Sequence, residues 1–273
     1  MRPAAFPGRY TTMQTMTATE QREATYWDHQ AARLSDADLA IADVSRHVLA
    51  QAVLRRLGKL DGVRLLDVGC GTGEWAVRLA LLGARVWAID ISPVSIAAVR
   101  RRAALHGVAD RVTAMVSSAT ELDFPPGFFD RVHGQNIIHH LDAARFGREI
   151  ARVLRRDGCA VFHENCANNR LLMLARDRLC GRWGIPRWSS DDEYPLTRDR
   201  LERFARPFAQ VQVDYPQFLF FHYLDAKLFG YRNRPVNWLC GSLDRAIHRF
   251  VPALRRFSYR QVICCRRPIG EHA

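Results

Sequence analysis

A glycine-rich segment is the first place in the chain where residue types and spacing could support chemistry. It reads Leu65-Leu-Asp-Val-Gly-Cys-Gly-Thr-Gly73, so that three glycines alternate with other residues directly after an apolar run. Glycine permits a tight turn and lets a ligand approach bare backbone. The helix predicted to follow offers free N–H groups in its first turn. The segment therefore predicts a ligand site at the carboxyl end of a buried strand.

Acidic residues near the glycines distinguish between two kinds of ligand. A dinucleotide-binding turn would have a glycine at position 74, where this chain has Glu74. Asp67 precedes the first glycine, and its charge would oppose a pyrophosphate but suits a ligand with an ammonium and a sulfonium. Asp90 stands 17 residues beyond Gly73, placed to accept hydrogen bonds from both hydroxyls of a ribose. The alternative role for Asp90 is to cap the helix that begins near Pro93.

Alternating strands and helices must position these residues. Helices are predicted over Glu74–Leu82, Pro93–His106 and Asp142–Leu154. They separate five predicted strands, at Val63–Val68, Arg85–Ile89, Arg111–Val116, Phe129–Gly134 and Gly158–Glu164. Strands joined by helices of this length form right-handed crossovers and a parallel sheet.

The remainder of the chain departs from this alternation. Helices are predicted over Leu171–Trp183 and Arg198–Phe204, and strands over Gln210–Tyr215 and Tyr259–Cys265. The two strands bring the sheet to seven. The predicted fold class is therefore α/β, a Rossmann-like, doubly wound, seven-stranded and mostly parallel sheet. Residues 216–257 are aromatic and basic with apolar positions at helical spacing, which predicts an added helical lid.

The predicted domain organisation follows these elements. In chain order it comprises a flexible leader (1–18), a helical cap (19–60), a ligand-binding core (61–215), the helical insertion (216–257), and the last strand with its tail (258–273). The cap shows helical periodicity from Thr19 to Leu57.

Six segments resemble, in order and spacing, those of a known enzyme family. They are Leu65–Gly73, Ile89–Ser92, Ala119–Leu122, Phe129–Asp130, Asn136–Leu141 and Leu154–Gly158. On these segments the chain resembles the class I S-adenosylmethionine-dependent methyltransferases, in layout the small-molecule type that includes quinone and glycolipid methyltransferases. The resemblance runs from about Tyr26 to Asn165. It implies a Rossmann-like fold, S-adenosylmethionine as cofactor and S-adenosylhomocysteine as product.

The resemblance also implies which residues bind the cofactor. By position these are Gly69, Gly71, Gly73 and Gln135 for the methionyl part, Asp67 for its amino group, Asp90 for the ribose, and Ile91, Ser118 and Ala119 for the adenine. Ser118 departs from the family pattern, in which an acid commonly precedes the alanine and accepts from the adenine amino group. In similar enzymes an aromatic on an N-terminal helix closes over the cofactor, which points to Tyr26. Alternatively, Tyr26 and Trp27 only pack this helix on the sheet.

Methyl transfer itself requires little more than alignment of the acceptor with the sulfonium. A base helps if the acceptor is a hydroxyl or an acidic carbon. The candidates for that base are His139, His163 and Glu164, which lie at the carboxyl edge of the predicted sheet. Four further polar residues are predicted to contact the acceptor, namely Asn136, His140, Asn165 and Tyr194. For His140 and Tyr194 a purely structural role stays open.

The overall charge of the 273-residue chain does not by itself identify a partner. The formal net charge is +12, but of the 40 basic residues only Lys59 and Lys227 are lysines, and the arginines are spread along the chain. This distribution is typical of a solvated surface, with an anionic membrane surface as the alternative. Nucleic acid is not expected as a partner.

Cysteine usage and apolar run lengths indicate a cytoplasmic protein. The seven cysteines form no CxxC motif and repeat no ligand spacing, which indicates reduced thiols and neither a disulfide framework nor a metal site. The first fifteen residues lack the apolar core of a secretory signal, and no apolar run is long enough to span a membrane.

The sequence leaves four functions open. The first is a methyltransferase that acts on a small, aromatic or apolar metabolite by in-line transfer. The second methylates a membrane lipid, glycolipid or quinone, with residues 216–257 at the membrane periphery. The third is a lyase or cyclase that consumes the cofactor without transferring a methyl group. The fourth, an RNA methyltransferase, is disfavoured because Gln135–Ile138 lacks the Pro-Pro-aromatic motif of such enzymes. Residues 216–257 could also form a homodimer contact.

Overall fold

A seven-stranded sheet forms the centre of the computed structural model, which describes residues 18–44, 47–180 and 194–269. Its strands are β1 (Arg64–Val68), β2 (Arg85–Asp90), β3 (Val112–Val116), β4 (Phe129–Gln135), β5 (Leu154–Asn165), β6 (Phe208–Asp214) and β7 (Arg260–Pro268). They lie in the order β3-β2-β1-β4-β5-β7-β6. Strands β1 to β5 pair in parallel, and β7 is antiparallel to both β5 and β6.

Helices flank both faces of this sheet. They are α1 (Ala18–Ala31), α2 (Val48–Leu57), α3 (Glu74–Leu81), α4 (Pro93–Leu105), α5 (Ala143–Val153), α6 (Arg170–Leu179), α7 (Arg198–Ala205), α8 (Phe220–Leu228) and α9 (Arg234–Phe250). Short 3₁₀ turns lie at Ala37–Leu39, Ile138–His140 and Pro252–Phe257. The predicted fold class, a doubly wound and mostly parallel sheet of seven strands, is confirmed.

Side-chain caps fix where several of these helices begin. Ser92, Asp142, Asn169, Thr197 and Asn233 each accept a hydrogen bond from a backbone N–H in the first turn of the helix that follows. Each cap satisfies a donor that would otherwise have no partner within the helix.

The two faces of the sheet bury separate apolar clusters. On one face α2, α3 and α4 pack around residues such as Leu49 and Ile96. On the other face α5 and α7 pack on the sheet, and the ring centroids of Phe146, Phe162 and Phe204 lie 5.1 to 5.8 Å apart. Side chains that alternate along each strand supply both clusters. The carboxyl ends of β1 to β4 are therefore held from both sides.

The predicted helical cap is interrupted in the structure. The periodicity from Thr19 to Leu57 corresponds to two helices, α1 and α2, separated by the 3₁₀ turn at Ala37–Leu39. The carboxylate of Asp38 accepts from the backbone N–H and the hydroxyl of Ser35, which competes with helical hydrogen bonding. The guanidinium of Arg102 then binds two carbonyl oxygens of the turn at 2.9 Å. Polar contacts therefore override the helical pattern here.

Strand β5 begins earlier than predicted. The sequence places its start at Gly158, whereas the structure starts it at Leu154, four residues earlier. A register shift between Phe129 and Arg131 allows Phe129 to pair with Leu154. Such an irregularity adds residues to one strand, which a count of apolar residues does not reveal.

Two predicted features fall outside the described residues. The leader, residues 1–18, is outside them except for Ala18, where α1 begins. The helix predicted over Leu171–Trp183 is described as α6, which ends at Leu179, and residues 181–193 are not described.

The insertion, residues 216–257, contains α8, α9 and a 3₁₀ turn. The carboxylate of Asp244 on α9 accepts from two backbone N–H groups at the start of α8, at 3.0 and 2.8 Å. The ring of Tyr223 on α8 packs against that of Tyr259, just before β7, with centroids 4.7 Å apart. The insertion is therefore a pair of helices attached beside the start of β7, which lies between β5 and β6 in the sheet.

The close packing of α5 against α7 can be tested at a glycine. A Cβ at Gly147 would lie 2.2 Å from the backbone oxygen of Phe204, so Gly147→Ala must displace α7. We expect a loss of about 2–3 kcal/mol and a thermal midpoint roughly 5–10 °C lower in a melting experiment.

Gly241 in α9 is the matched control, because a Cβ there meets only the flexible Arg245 side chain at 3.2 Å. Alanine has the higher helix propensity, so Gly241→Ala should leave the midpoint unchanged or raise it slightly. Equal destabilisation by the two substitutions would contradict the tight α5–α7 contact.

Candidate active site

A cavity of about 480 Å³ opens at the carboxyl ends of β1 to β4, beneath α1. Its wall brings together many of the residues that were predicted from sequence. Those that line it are Asp67, Gly69, Gly71, Asp90, Ile91, Ala119, Gln135, Asn136 and His140. The position agrees with the rule that open α/β sheets bind ligands at the carboxyl ends of their strands.

The glycine turn presents backbone to this cavity. Gly69 and Gly71 have φ angles of 62° and 50°, in the left-handed region that favours glycine. A Cβ at Gly69 would lie 2.7 Å from Cδ1 of Ile137, whereas a Cβ at Gly71 would meet nothing within 4 Å. The space above Gly71 is therefore open to a ligand. Gly73 does not line the cavity; it is the N-cap of α3 and packs against Val99.

The carboxylate of Asp90 ties β2 to the glycine turn. One oxygen accepts from the N–H of Gly71 and the other from the N–H of Ser92, both at 2.9 Å. Burial raises the pKa of Asp90 above its usual value, although these two hydrogen bonds oppose that shift. Asp90 does not cap α4, because the hydroxyl of Ser92 accepts from the N–H of Ser95 in that role. The alternative role considered for Asp90 is therefore not observed.

Two buried acceptors lie at the β1–β4 end of the cavity. Asp67 is 1% exposed, and its Oδ1 lies 2.7 Å from Nδ1 of His133. Within the described part of the chain, Oδ2 of Asp67 and Nε2 of His133 have no hydrogen-bond partner. In the neutral ring, Nδ1–H donates to the carboxylate and Nε2 is left as an acceptor. Oδ2 of Asp67, together with Nε2 of the neutral His133 ring, fits an ammonium group.

The β3 end of the cavity is mostly apolar. Ile91, Ala119 and Leu141 line it, as expected for a flat ring. Ser118 does not line the cavity but lies behind its wall, where its hydroxyl donates to a carboxylate oxygen of Glu20 at 2.7 Å. Glu20 itself lines the cavity from α1. Sequence analysis did not single out Glu20.

Helix α1 contributes a different aromatic residue from the one predicted. Trp27 lines the cavity, whereas Tyr26 does not and is 42% exposed. The two rings meet edge to face with centroids 5.2 Å apart. Neighbouring residues on a helix point about 100° apart, which directs Trp27 and Tyr26 to different surroundings.

His139 and Glu164 form a buried pair behind the cavity wall. Oε1 of Glu164 accepts from the N–H of Ile137 and of Ile138 at 2.7 and 2.9 Å, and Oε2 lies 2.7 Å from Nδ1 of His139. Neither side chain lines the cavity. In contrast, His140 lines it, and its Nδ1 lies 3.6 Å from the carboxylate of Glu23 on α1.

His163 lies on the opposite face of β5 from Glu164, because side chains alternate along a strand. Its ring is buried 5.4 Å from that of Trp75 and 5.6 Å from that of His133, and it does not line the cavity. Burial lowers the pKa of His163 well below its usual value, so the ring is neutral at neutral pH.

The structure does not bring two of the predicted acceptor-binding residues to the cavity. The backbone N–H of Asn165 donates to Oδ1 of Asn136 at 3.3 Å, and its own side chain does not line the cavity. Tyr194 is 39% exposed and lies under the guanidinium of Arg176, 5.4 Å from the ring centroid. Their predicted role in binding the acceptor stays a prediction.

Carboxylates dominate the charge of this cavity. The described lining includes no lysine or arginine, although the chain has 40 basic residues. It does include the five acidic residues Glu20, Glu23, Asp67, Glu74 and Asp90. No group of three or more metal-ligating side chains occurs among residues 18–44, 47–180 and 194–269. Such a cavity favours an organic cation over a phosphate.

Comparison with known proteins shows what this site is similar to. Residues 65–158 match the family model described as a methyltransferase domain. A curated relative, the 27-O-demethylrifamycin SV methyltransferase of Amycolatopsis mediterranei (strain S699), is 36% identical over 135 residues, which are 49% of this chain and 47% of the relative. The chain thus spans about half the length of this relative.

Two solved structures share the fold. The geranyl diphosphate C-methyltransferase of Streptomyces coelicolor A3(2) superposes with a TM-score of 0.59 at 16% identity, covering 92% of this chain and 98% of that one. The [4+2]-cyclase SpnF superposes with a TM-score of 0.58 at 21% identity, covering 92% and 97%. The resemblance predicted from sequence is therefore confirmed: residues 65–158 match a methyltransferase domain, and the chain shares its fold with a solved methyltransferase.

Several lining residues escaped the sequence analysis. His133 pairs in register with Asp67 across β1 and β4, so its place beside that carboxylate followed from the parallel pairing. Glu20, Glu23 and Trp27 lie three and four residues apart on α1, a spacing that places them on one helical face. Sequence analysis had treated this stretch only by its apolar residues.

The Glu164 pair can be tested through stability. Glu164→Gln should lower the free energy of unfolding by about 3 kcal/mol, because an amide cannot accept from all three donors that the carboxylate binds. Denaturant titration measures the loss.

Glu202 on α7 is the control, since its ion pair with Arg198 is exposed. Glu202→Gln should change the unfolding free energy by no more than about 0.5 kcal/mol. If the two substitutions had the same small effect, Glu164 would not hold the turn after β4.

Proposed function

We propose that this protein is a methyltransferase that transfers the methyl group of S-adenosylmethionine to a small, aromatic or apolar metabolite. The observation that carries the proposal is the charge of the cavity, which is lined by five carboxylates and, among its described residues, by no lysine or arginine. A ligand with an ammonium and a sulfonium is stabilised there, and a pyrophosphate is not.

The cofactor would lie along the carboxyl edge of the sheet. Oδ2 of Asp67 and Nε2 of His133, the two unpartnered acceptors, would bind its ammonium. Asp90 would accept from the ribose hydroxyls, and Ile91 and Ala119 would pack on the adenine. When bound, the cofactor supplies an electrophilic methyl group on sulfur.

The chain's own contribution is to orient the acceptor and to accept a proton from it. His140 lines the cavity, and Glu23 beside it favours the protonated ring that results. Trp27 offers an aromatic wall for an apolar acceptor and excludes water. We assign His139 and Glu164 a positioning role, since they hold the turn that carries Asn136 and His140 into the cavity.

The acceptor can be found with cofactor that carries a deuterated methyl group. Purified protein is incubated with a bacterial extract, and mass spectrometry follows the label in the organic and aqueous fractions. Label on a water-soluble metabolite would support the proposal, and label in the organic phase would support a lipid or quinone acceptor. Consumption of cofactor without a labelled acceptor would overturn methyl transfer and favour the lyase or cyclase function, for which the shared fold of SpnF offers a precedent.

The proposed base is tested with His140→Asn. With a hydroxyl or acidic-carbon acceptor, we expect the rate of methyl transfer to fall about 100-fold. Affinity for S-adenosylhomocysteine, measured by calorimetry, should change by less than about threefold. His29→Asn is the control, because His29 is an exposed histidine on α1, the helix that carries Glu23. A rate unaffected by His140→Asn would remove this residue from the mechanism.

An alternative acceptor, a membrane lipid or quinone, is favoured by the surface of α9. Trp238 and Phe250 are 69% and 74% exposed, and the exposed Leu239 and Leu243 share the face of Phe250. The acidic residues of 216–257 are Asp225 and Asp244, and both are buried. The exposed charges of the insertion are therefore basic.

An exposed apolar face flanked by arginines is typical of a helix that lies in a membrane interface. No helix in the described ranges is long and apolar enough to cross a membrane. None of the described residues of 216–257 lines the cavity, so the predicted lid does not form its wall. In this alternative the insertion would contact the bilayer beside the start of β7.

Vesicle binding decides between the two acceptors. The wild type should co-sediment with vesicles of phosphatidylcholine and phosphatidylglycerol, and much less with phosphatidylcholine alone or at high salt. Trp238→Ser combined with Phe250→Ser should weaken that binding at least about tenfold.

Leu105 on α4 is also an exposed apolar residue and provides the control. The Leu105→Ser variant should bind the vesicles as the wild type does. Absence of binding by the wild type would remove the membrane alternative. Sedimentation without vesicles would show whether the same face instead pairs two copies of the chain.

A further inference from the structure

A buried arginine lies behind the glycine turn and joins it to another part of the chain. Arg102 on α4 is 4% exposed, and its Nη1 donates to the backbone oxygen of Thr72 at 2.5 Å and to the hydroxyl of that residue at 3.1 Å. Its Nε and Nη2 donate to the backbone oxygens of Leu39 and Asp38, both at 2.9 Å. Arg102 is therefore a bridge between the glycine turn and the connecting segment, residues 32–44, which follows α1.

The two segments that Arg102 joins differ in their relation to the cavity. Thr72 lines the cavity, as do Gly69 and Gly71 of the same turn. On the α1 side the lining extends to Leu34, and it includes none of residues 35–44, all of which the structure describes. A ligand in the cavity can therefore contact the glycine turn directly, but it can reach Asp38 and Leu39 only through other residues.

Helix α4 also contacts the glycine turn and α1 at other points. A Cβ at Gly73 would lie 2.9 Å from Cγ2 of Val99, one turn before Arg102, so the helix packs closely against the turn. At the start of α4, the hydroxyl of Ser92 and the N–H of Val94 both donate to Asp28 on α1. One helix therefore holds the cover of the cavity, the connecting segment and the glycine turn.

Arg78 on α3 makes a second contact of the same kind. It is 6% exposed, and its Nη1 donates to the backbone oxygen of Ala42 in the connecting segment at 2.9 Å. Its Nη2 donates to Oε1 of Glu74, which lines the cavity, at 2.5 Å. Two buried guanidiniums thus join the connecting segment to the residues around the start of α3.

The bridge made by Arg102 is costly to break. Within the described part of the chain, each hydrogen bond of its guanidinium ends on an uncharged oxygen. Hydrogen bonds to a charged group are stronger than those between neutral groups. If the connecting segment moved away from the glycine turn, a buried charge would lose partners. The two segments are therefore expected to move together.

We propose that Arg102 is a positioning residue for the cofactor. Because one guanidinium holds Thr72 and residues 38–39, the closed position of α1 over the cavity depends on the conformation of the glycine turn. A cofactor that fixes this turn also stabilises the connecting segment and the helix before it, which slows its own departure. The inference rests on the proposed binding of S-adenosylmethionine.

Amide hydrogen exchange tests this coupling on the wild type, with S-adenosylhomocysteine as the ligand. Binding should slow exchange at residues 69–73, which form the glycine turn. It should also slow exchange at residues 36–44, although these do not line the cavity. Unchanged exchange at residues 36–44 in a protein that binds the ligand would overturn the proposal.

Arg102→Lys tests the bridge itself. Lysine keeps the charge, but one ammonium cannot replace a rigid fork that donates towards two segments. The ligand should still protect residues 69–73, whereas its protection of residues 36–44 should be mostly lost. A purely structural role would speed exchange with and without the ligand alike, so the difference between the two would remain.

The same variant should release the ligand faster. In stopped-flow experiments, the fluorescence of Trp27 and Trp75, which both line the cavity, reports binding. The dissociation rate of S-adenosylhomocysteine should rise about 10-fold, within the range for a lost hydrogen bond to a charged group. The association rate should change by less than about threefold, because such effects fall mainly on dissociation.

Arg101→Lys is the matched control. Arg101 is the preceding residue of α4, and its guanidinium pairs with Asp36 of the connecting segment. Its described hydrogen bond does not involve the glycine turn. This variant should keep the wild-type dissociation rate and the ligand's protection of residues 36–44. Equal effects of Arg101→Lys and Arg102→Lys would show that the coupling does not need the bridge.

The outcomes separate this inference from the proposed function. If the wild type binds S-adenosylhomocysteine and Arg102→Lys keeps its rates and its protection, Arg102 does not position the cofactor, and the proposed function stands. If the wild type does not bind this ligand, the proposed function fails and this inference fails with it.

Discussion

A buried carboxylate at the end of β5 determines how the chain turns after β4. Glu164 accepts from the N–H groups of Ile137 and Ile138 and pairs with the ring of His139. All three donors belong to one short turn, so the carboxylate fixes the direction in which that turn leaves the strand. Asn136 and His140, on either side of these donors, are thereby held in the cavity wall. The positions of both residues relative to the rest of the cavity therefore depend on this turn.

The cavity and the exterior of the protein carry opposite charge. The chain has a formal net charge of +12, yet the described residues around the cavity include five carboxylates and neither lysine nor arginine. Asp67 is held by His133 and Asp90 by backbone N–H groups, and neither carboxylate bonds a lysine or arginine among the described residues. Such an arrangement is costly unless a cation enters. The charge of the cavity is therefore a stronger guide to the ligand than the net charge of the whole chain.

Much of the fold could be predicted because the alternation of apolar strands and helices is regular as far as β5. The glycine turn and the acids Asp67 and Asp90, at the ends of β1 and β2, were also predictable, since their residue types and spacing are local features. The direction in which each side chain points could not be predicted in the same way. His163 and Glu164 are adjacent in sequence, but the strand sends them to opposite faces, and neither reaches the cavity. The interruption at Ala37–Leu39 was missed because it depends on Arg102, which lies far along the chain.

Helix α1 covers the cavity and is held in place by little buried apolar surface. Among its described residues the buried apolar side chains are those of Ala24 and Ala31, and its other anchors are polar. Local opening of a segment costs a free energy that scales with the apolar area it exposes. Detaching α1 is therefore cheap relative to unfolding the sheet. Under the proposed function, cofactor would be exchanged through brief departures of this helix while the sheet beneath stays folded.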